Sequence, residues 1–320
     1  MIHALLKPAG MLFICCTLVV LSAKAWGRTF PGAMVAFISD RDGSSRIYIS
    51  DMLHGLFLRL NQLPKYAFPV QWSTNGNLAF SSESEVLVWT DTGVVNVSQN
   101  PADDDSPAWS FDGRLAFVSE RDRNTEIYVW DDRNLVNISK NPSSDYNPIW
   151  SRDGRLAFVS ERDGNREVYI WDGTNFTNIS QDPADDNSPV WSSDGRLAFV
   201  SARNHSQAIF IWDGVTLVSI PSESPAPVFN LAWSLDGRLA FSSYVNGNIE
   251  IKVWDGAAVT NISQHPADDG LATWSAGGQL IFTSNRDGNW EIYMWDGTTL
   301  TNITNSPSGE TSPALWTPPP

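Results

Sequence analysis

The chain has 320 residues, of which 42% are hydrophobic and 18% are charged, so its composition is that of a globular protein and excludes a disordered or collagen-like chain. Asp and Glu outnumber Lys and Arg by 36 to 21, which gives a formal net charge of −15. Nucleic acids and anionic membranes bind clustered positive charge, so neither is expected as a partner. Basic proteins, cations and neutral glycans remain as partner classes.

The first 25 residues have the pattern of a secretory signal peptide. Lys7 supplies the positive charge, residues 11–22 form an apolar run, and residues 23–25 (Ala-Lys-Ala) match a cleavage site. The apolar run is shorter than the about 20 residues that span a bilayer, so we expect cleavage before Trp26 rather than a retained anchor, which is the alternative. The prediction is a periplasmic or extracellular protein with a short linker over residues 26–33 and no stable membrane span after cleavage.

A repeat of about 40 residues fills the rest of the chain. A Trp followed by Ser or Thr recurs at intervals of 37 to 42 residues, at Trp72, Trp109, Trp150, Trp191, Trp233, Trp274 and Trp316. Tight turns with Asp-Gly pairs separate four short strands in a typical unit, which we name a, b, c and d in chain order. Short strands repeated with this period are typical of propeller blades.

The two ends of the repeat predict how the ring closes. The first b strand, near residues 36–37, has no Trp-containing strand before it, and the last Trp-containing strand, residues 312–316, has no b strand after it. We therefore expect an all-β, seven-bladed propeller of four-stranded antiparallel blades over residues 34–316, with a tail at 317–320. The C-terminal strand completes the first blade, which removes the exposed sheet edges. A closed ring also predicts a monomer.

The repeat resembles the TolB-like, WD-like propeller repeat. Residues 148–173, PIWSRDGRLAFVSERDGNREVYIWDG, carry the pattern in full. The same repeat occurs in the propeller domains of prolyl-oligopeptidase-type enzymes and in oligogalacturonate lyase. The resemblance implies the fold and, through TolB-like proteins, protein–protein interaction at the cell envelope, but this fold carries unrelated activities.

The predicted function is therefore that of an exported, non-enzymatic binding or scaffold protein, with a glycan-binding or polysaccharide-lyase-like propeller as the alternative. The sequence contains no G-x-S-x-G elbow, which argues against a serine peptidase. A lyase-type metal site would need the histidines to converge, yet His54 falls on the opposite face from His205 and His265. No metal site is assigned from the sequence.

Acidic loops precede several a strands, with Asp105, Asp186 and Asp269 as representatives. If these loops are equivalent, their carboxylates ring the mouth of the channel and could attract Ca²⁺ or a basic partner. The alternative is turn chemistry, in which each Asp bonds its own backbone. We expect no cofactor, with this Ca²⁺ as the alternative.

Departures from the repeat on one face give a second group of candidate binding residues. These lie in loops of blades five, six, seven and one, and they are Tyr66, Phe68, His205, Phe229, Tyr244 and Trp290. In a closed ring these blades are neighbours, so the six residues could line one arc and bind a protein or a glycan. Drift in unconstrained loops is the alternative.

Two further repeated features are interpreted as structural. The Arg and Glu of the b–c hairpin, such as Arg121 and Glu126, are predicted to form a cross-strand ion pair. The Trp residues that end each c strand, such as Trp130 and Trp171, are predicted to pack the blades.

Overall fold

The computed structural model describes residues 34–51, 57–59, 70–90, 92–203, 206–220 and 227–316. The predicted signal peptide, linker and C-terminal tail lie outside these residues. No helix in the described part of the chain is long and apolar enough to cross a bilayer.

The described strands form seven four-stranded antiparallel sheets, and each sheet is one blade. Blade 1 combines β28 (Glu310–Trp316) with β1 (Met34–Ser39), β2 (Arg46–Asp51) and β3 (Phe57–Arg59). Blade 2 contains β4 (Val70–Trp72), β5 (Leu78–Ser82), β6 (Glu85–Thr90) and β7 (Gly93–Asn96), and blade 3 contains β8 (Asp104–Trp109), β9 (Leu115–Ser119), β10 (Glu126–Trp130) and β11 (Leu135–Asn137). Blade 4 contains β12 (Asp145–Trp150), β13 (Leu156–Ser160), β14 (Glu167–Trp171) and β15 (Phe176–Asn178).

The last three blades repeat this arrangement. Blade 5 contains β16 (Asp186–Trp191), β17 (Leu197–Ser201), β18 (Ala208–Trp212) and β19 (Leu217–Ser219). Blade 6 contains β20 (Val228–Trp233), β21 (Leu239–Val245), β22 (Asn248–Trp254) and β23 (Val259–Asn261), and blade 7 contains β24 (Asp269–Trp274), β25 (Leu280–Ser284), β26 (Glu291–Trp295) and β27 (Leu300–Asn302).

The ring closes as the sequence predicts. Strand β28 pairs antiparallel with β1, with Ala314 opposite Ala36 and Glu310 opposite Ser39. The a strand of each blade contacts the a strand of the next blade, and β28 contacts both β24 and β4. The a strands therefore surround the central channel in an unbroken circle, and the predicted fold is confirmed.

The b strands form the centre of each blade. All five residues of β13 are buried, as are all five of β9 and β17. A strand flanked by two others and covered by blades on both faces is apolar on both sides, which explains the Leu-Ala-Phe-Val sequence without alternation. Phe158 stacks on Tyr169 of the c strand at a ring distance of 6.0 Å.

Arginines from the a–b turns join neighbouring blades. The Arg114 guanidinium lies 4.2 Å from the ring centroid of Trp150, and Arg155 lies 4.5 Å from Trp191. The a-strand Trp of each pair also meets a c-strand Trp edge to face, as Trp150 does with Trp171 at 6.3 Å. The predicted packing role of the c-strand tryptophans is confirmed.

The predicted ion pair between Arg121 and Glu126 is wrong. Arg121 instead turns along its own blade, and its Nη2 lies 3.1 Å from Oδ1 of Asp104. Glu126 is directed towards the segment between β11 and β12, where it accepts hydrogen bonds from the hydroxyl of Ser139 and the backbone N–H of Asn141. The constant spacing of Arg and Glu reflects two separate roles on the same hairpin.

Candidate functional site

A cavity lies at the end of the central channel where the a–b turns meet. It measures about 820 Å³ and is lined by residues from six of the seven blades. We call it the aromatic mouth, and define it by Trp72, Trp109, Trp150, Trp191 and Trp233 with the turn residues Thr74, Phe111, Arg152, Ser193 and Leu235. Since six blades contribute, the cavity lies on the propeller axis.

The turn after each a strand has a fixed geometry that sets this rim. In blade 3 the Ser110 hydroxyl donates to Asp112 Oδ1 and accepts the backbone N–H of Arg114. Gly113 has a φ of 92°, a conformation that a side chain rarely adopts. In blades 2 to 7 the turn keeps its Ser and its Gly, whereas the residue after Ser differs from blade to blade and lines the mouth.

Those variable residues bond neighbouring turns together. The Thr74 hydroxyl donates to the carbonyl of Phe111 at 3.3 Å, and the Ser193 hydroxyl donates to the carbonyl of Leu235 at 3.0 Å. The guanidinium of Arg152 lies 5.3 Å from the ring centroid of Phe111. Phe111 is nevertheless 58% exposed and Leu235 is 60% exposed, so the rim presents apolar surface to solvent.

The mouth is close to neutral although the whole chain is strongly acidic. The carboxylates of the turns are held by arginines, as in the 3.0 Å contact between Asp236 and Arg238. Hydrogen bonds from Arg238 and Ser234 lower the pKa of Asp236, so it stays ionised and paired. Among the described lining residues, Arg152 is the sole charged side chain. The mouth is therefore suited to an apolar or aromatic group rather than to an ion.

The predicted acidic residues do not share one environment. Asp186 and Asp269 are buried at the start of their a strands, and each contacts the Arg of its own blade, Arg203 at 3.5 Å and Arg286 at 3.1 Å. Burial raises the pKa of both carboxyls. Asp105 is exposed. Of these three residues, only Asp105 has an accessible carboxylate, because the blades cover Asp186 and Asp269 at the starts of their a strands.

The predicted aromatic arc is described only in part. Phe229 and Trp290 are half-buried, and Tyr244 is 47% exposed. The Tyr244 hydroxyl donates to the carbonyl of Gly247 at 3.0 Å, so it closes its own hairpin. Three further members of the predicted arc, Tyr66, Phe68 and His205, lie outside the described residues.

No metal site emerges within the described ranges. They contain no group of three or more His, Cys, Asp or Glu side chains that could hold an ion. His265 is used locally, since its Nδ1 accepts the backbone N–H of Ala267.

The sequence reasoning above does not identify the aromatic mouth. One signal was present in the aligned repeats, because Phe111 and Leu235 place large apolar residues in a tight turn that otherwise favours polar residues. Recognising it required the closed ring, which brings turns 124 residues apart in the sequence to the same cavity.

Comparison with known proteins gives the fold and a family match. Residues 79–211 match the model of the TolB beta propeller domain family. The search of curated proteins finds no match. Among solved structures, the propeller domain of the Trilobed protease from Pyrococcus furiosus is similar with a TM-score of 0.68 and 17% identity, over 86% of this chain and 96% of that one. That domain is described as having an open velcro topology, whereas β28 closes the ring here.

Two other solved structures place the similarity in context. TolB from Acinetobacter baumannii has a TM-score of 0.53 and 16% identity, over 93% of this chain and 86% of that one. The acylaminoacyl peptidase of Pyrococcus horikoshii has a TM-score of 0.65 and 16% identity over 85% of this chain. This chain spans 51% of that peptidase, about half of its length.

The prediction of a non-enzymatic scaffold for protein–protein interaction is wrong as stated. Similar propellers are mostly parts of peptidases, among them dipeptidyl peptidase 4 of Porphyromonas gingivalis and a puromycin hydrolase, alongside TolB. The resemblance of the repeat, in contrast, is confirmed by the family match and by the seven-bladed ring. The repeats of residues 79–211 match those of the TolB beta propeller domain family.

Proposed function

We propose that this propeller binds polypeptide segments at the aromatic mouth and selects substrates for a peptidase. The observation that carries the proposal is the exposure of Phe111 and Leu235 over a neutral, tryptophan-lined cavity on the axis. Cavities of this size that are lined by aromatic rings bury apolar side chains well. The fold similarity to peptidase propellers supports it, including an acylaminoacyl peptidase in complex with Z-Gly-Gly-Phe-chloromethyl ketone.

In this proposal the propeller is the substrate-binding part of a peptidase, since similar propellers make up about half of such enzymes. The sequence has no G-x-S-x-G elbow to place a serine nucleophile. The role of the propeller is then to hold a flexible segment by its side chains, so that the catalytic part of the peptidase acts on segments that the mouth accepts.

The preferred segment follows from the chemistry of the mouth. Its apolar rim favours Phe, Leu or similar side chains, each of which gains free energy by leaving water. Since Arg152 is the sole charged side chain among the described lining residues, ionic strength should have little effect on affinity.

The test is a binding titration with two neutral peptides. N-acetyl-Gly-Gly-Phe-amide should change the tryptophan fluorescence of the full chain, while N-acetyl-Gly-Gly-Gly-amide should not. Phe111→Ser and Leu235→Ser should each weaken binding of the Phe peptide about five- to thirtyfold, the loss of an apolar contact of about 1–2 kcal/mol. The signal survives both substitutions because neither removes a tryptophan.

Val215→Ser is the matched control. Val215 is 89% exposed and does not line the cavity, so its loss should leave affinity unchanged. Equal binding of both peptides, or equal affinity in all three variants, would show that the mouth does not recognise apolar side chains.

We also propose that the chain is exported, with polypeptide rather than glycan as its partner. The residues that support export are those of the signal peptide pattern, and the TolB-like repeat agrees with it. A monomeric state is part of the same proposal.

A further inference from the structure

A second cavity lies on the opposite face, between blades 2 and 3. It measures about 530 Å³, and its walls come from the b–c hairpin of blade 2 and from the start of β8 in blade 3. Five acidic residues line it together with neutral ones, and they are Glu83, Asp103, Asp104, Asp105 and Glu120. Among the described residues that line it, none is Lys, Arg or His. The cavity is therefore strongly negative.

The cavity exists because blade 2 has a shorter b–c hairpin than its neighbours. Residues 83–84 form a two-residue turn, with φ angles of 53° at Glu83 and 65° at Ser84. In blade 4 the same connection is the longer Arg-Asp-Gly-Asn loop at residues 162–165. Because blade 2 has no such loop, the segment between β7 and β8 is left accessible to solvent.

The short hairpin also replaces a donor with an acceptor. In four blades an Asn lies two residues before the Glu of strand c. Its side-chain amide donates to two backbone carbonyls in the segment that leads to the next blade, and these carbonyls lie 17 and 19 residues further along the chain. These residues are Asn124, Asn165, Asn248 and Asn289. In blade 2 the corresponding residue is Glu83, whose carboxylate can only accept. Blade 2 thus has a carboxylate that accepts hydrogen bonds where the four other blades have an amide that donates them.

Buried polar atoms in the cavity wall lack partners. Ser81 is 7% exposed and Asp104 is 1% exposed, yet Ser81 Oγ and Asp104 Oδ2 have no hydrogen-bond partner, and neither does Thr125 Oγ1. Blades 3 to 5 have valine at the position of Ser81, as at Val118, whereas blades 6 and 7 have the hydroxyl residues Ser242 and Thr283. Burying such atoms without a partner destabilises the protein, and a bound donor removes that cost.

We propose that this cavity binds a primary ammonium group, either a lysine side chain or the N-terminus of a polypeptide. An ammonium group is a compact cation with three donors, which suits acceptors on Ser81 in β5, on Asp104 in β8 and on Glu83 in the turn after β5. A guanidinium group prefers two oxygens of one carboxylate, and Asp104 already accepts Arg121 at Oδ1, 3.1 Å away. A divalent cation needs several oxygen ligands in one cluster, and the described residues contain no such group.

The test uses three peptides and isothermal titration calorimetry of the full chain at low ionic strength. N-acetyl-Gly-Lys-Gly-amide carries only a side-chain ammonium, Gly-Gly-Gly-amide carries only a terminal one, and N-acetyl-Gly-Gly-Gly-amide carries neither. Binding of either of the first two without the third supports the proposal and identifies the source of the ammonium group. Binding of none of them, or of all three equally, would overturn it.

Glu83→Asn is the decisive variant, since it restores the residue of the other blades and Asn tolerates a positive φ. It should keep the melting temperature and weaken ammonium binding at least tenfold. Ser81→Val, which introduces the valine of blades 3 to 5, should weaken binding independently. Asp132→Asn makes the same charge change at an exposed c–d turn on the opposite face and should leave affinity unchanged.

Equal weakening in Glu83→Asn and Asp132→Asn would reduce the effect to general attraction by an acidic protein and contradict the site. Displacement of the Lys peptide by micromolar CaCl₂ would assign the cavity to a divalent cation instead.

Discussion

Glu310 is the side chain through which ring closure can be tested most directly. It is fully buried at the start of β28, where Oε1 accepts the hydroxyl of Ser39 and Nη2 of Arg41, both at 2.9 Å. Its backbone N–H donates to the carbonyl of Trp290 at 2.8 Å. The side chain thus joins the last strand to residues about 270 positions earlier in the chain, and we predict that Glu310→Ala loosens the closure.

The expected loss follows from these contacts. Removing one partner of a buried ion pair costs about 3–5 kcal/mol, because the remaining charge stays buried. Arg41 is 22% exposed and can turn partly towards water, so the lower end, about 3 kcal/mol, is expected. Ser39 also loses its acceptor, and it is fully buried.

Asp145→Ala is the matched control, since it removes the equivalent acid in blade 4. Asp145 contacts Arg162 at 3.3 Å, but both residues belong to one continuous stretch of chain. Both variants should therefore lose similar free energy in urea unfolding. Only Glu310→Ala should also accelerate amide hydrogen exchange in β1 and β28, where opening of the ring exposes the edge of each strand.

Unchanged exchange in β1 and β28 of the Glu310→Ala protein would refute this reasoning. The closing strand would then be held by its backbone ladder and its apolar contacts, and the buried acid would contribute no more to closure than its counterparts in other blades.

Two further predictions concern a buried acid and the N-terminus. Burial raises the pKa of Asp269 above its ordinary 3.8, so the stability it contributes is full below that value and is lost as pH rises through the folded-state pKa. In urea unfolding, the free energy of unfolding of Asp269→Asn relative to the unmodified protein should therefore be higher at pH 7 than at pH 4.5. A relative free energy that is lower at pH 7 would contradict the direction of the pKa shift. N-terminal sequencing of the secreted protein should begin at Trp26, and a chain that still starts at Met1 would rule out cleavage.

The sequence was sufficient for the fold because the information about it is local and repeated. The Trp-Ser pairs and Asp-Gly turns define each blade within about 41 residues, and the unmatched strands at the two ends define how the ring closes. The pairing of β28 with β1 follows from that count of strands. Each such inference depends on residues close in sequence or on counting repeats.

The location of the functional surfaces depends on what the neighbouring blade covers. Asp105 and Asp186 come from similar acidic loops, yet Asp105 is exposed and Asp186 is buried against Arg203. Their positions differ by one residue along strand a, and successive residues of a strand point to opposite faces. A sequence pattern alone did not show which face is covered.

The two proposed sites illustrate the same limit. The sequence shows Phe111 and Leu235 as apolar residues in turns, and Glu83 in place of an Asn. Within one blade, neither observation indicates a binding site. The sequence by itself determined the strands, the number of blades and the closure, since alternation and turn chemistry act over a few residues. Only the tertiary structure decided which side chains share a cavity and which acceptors remain unpaired, because burial and hydrogen bonding depend on groups that distant parts of the chain bring together.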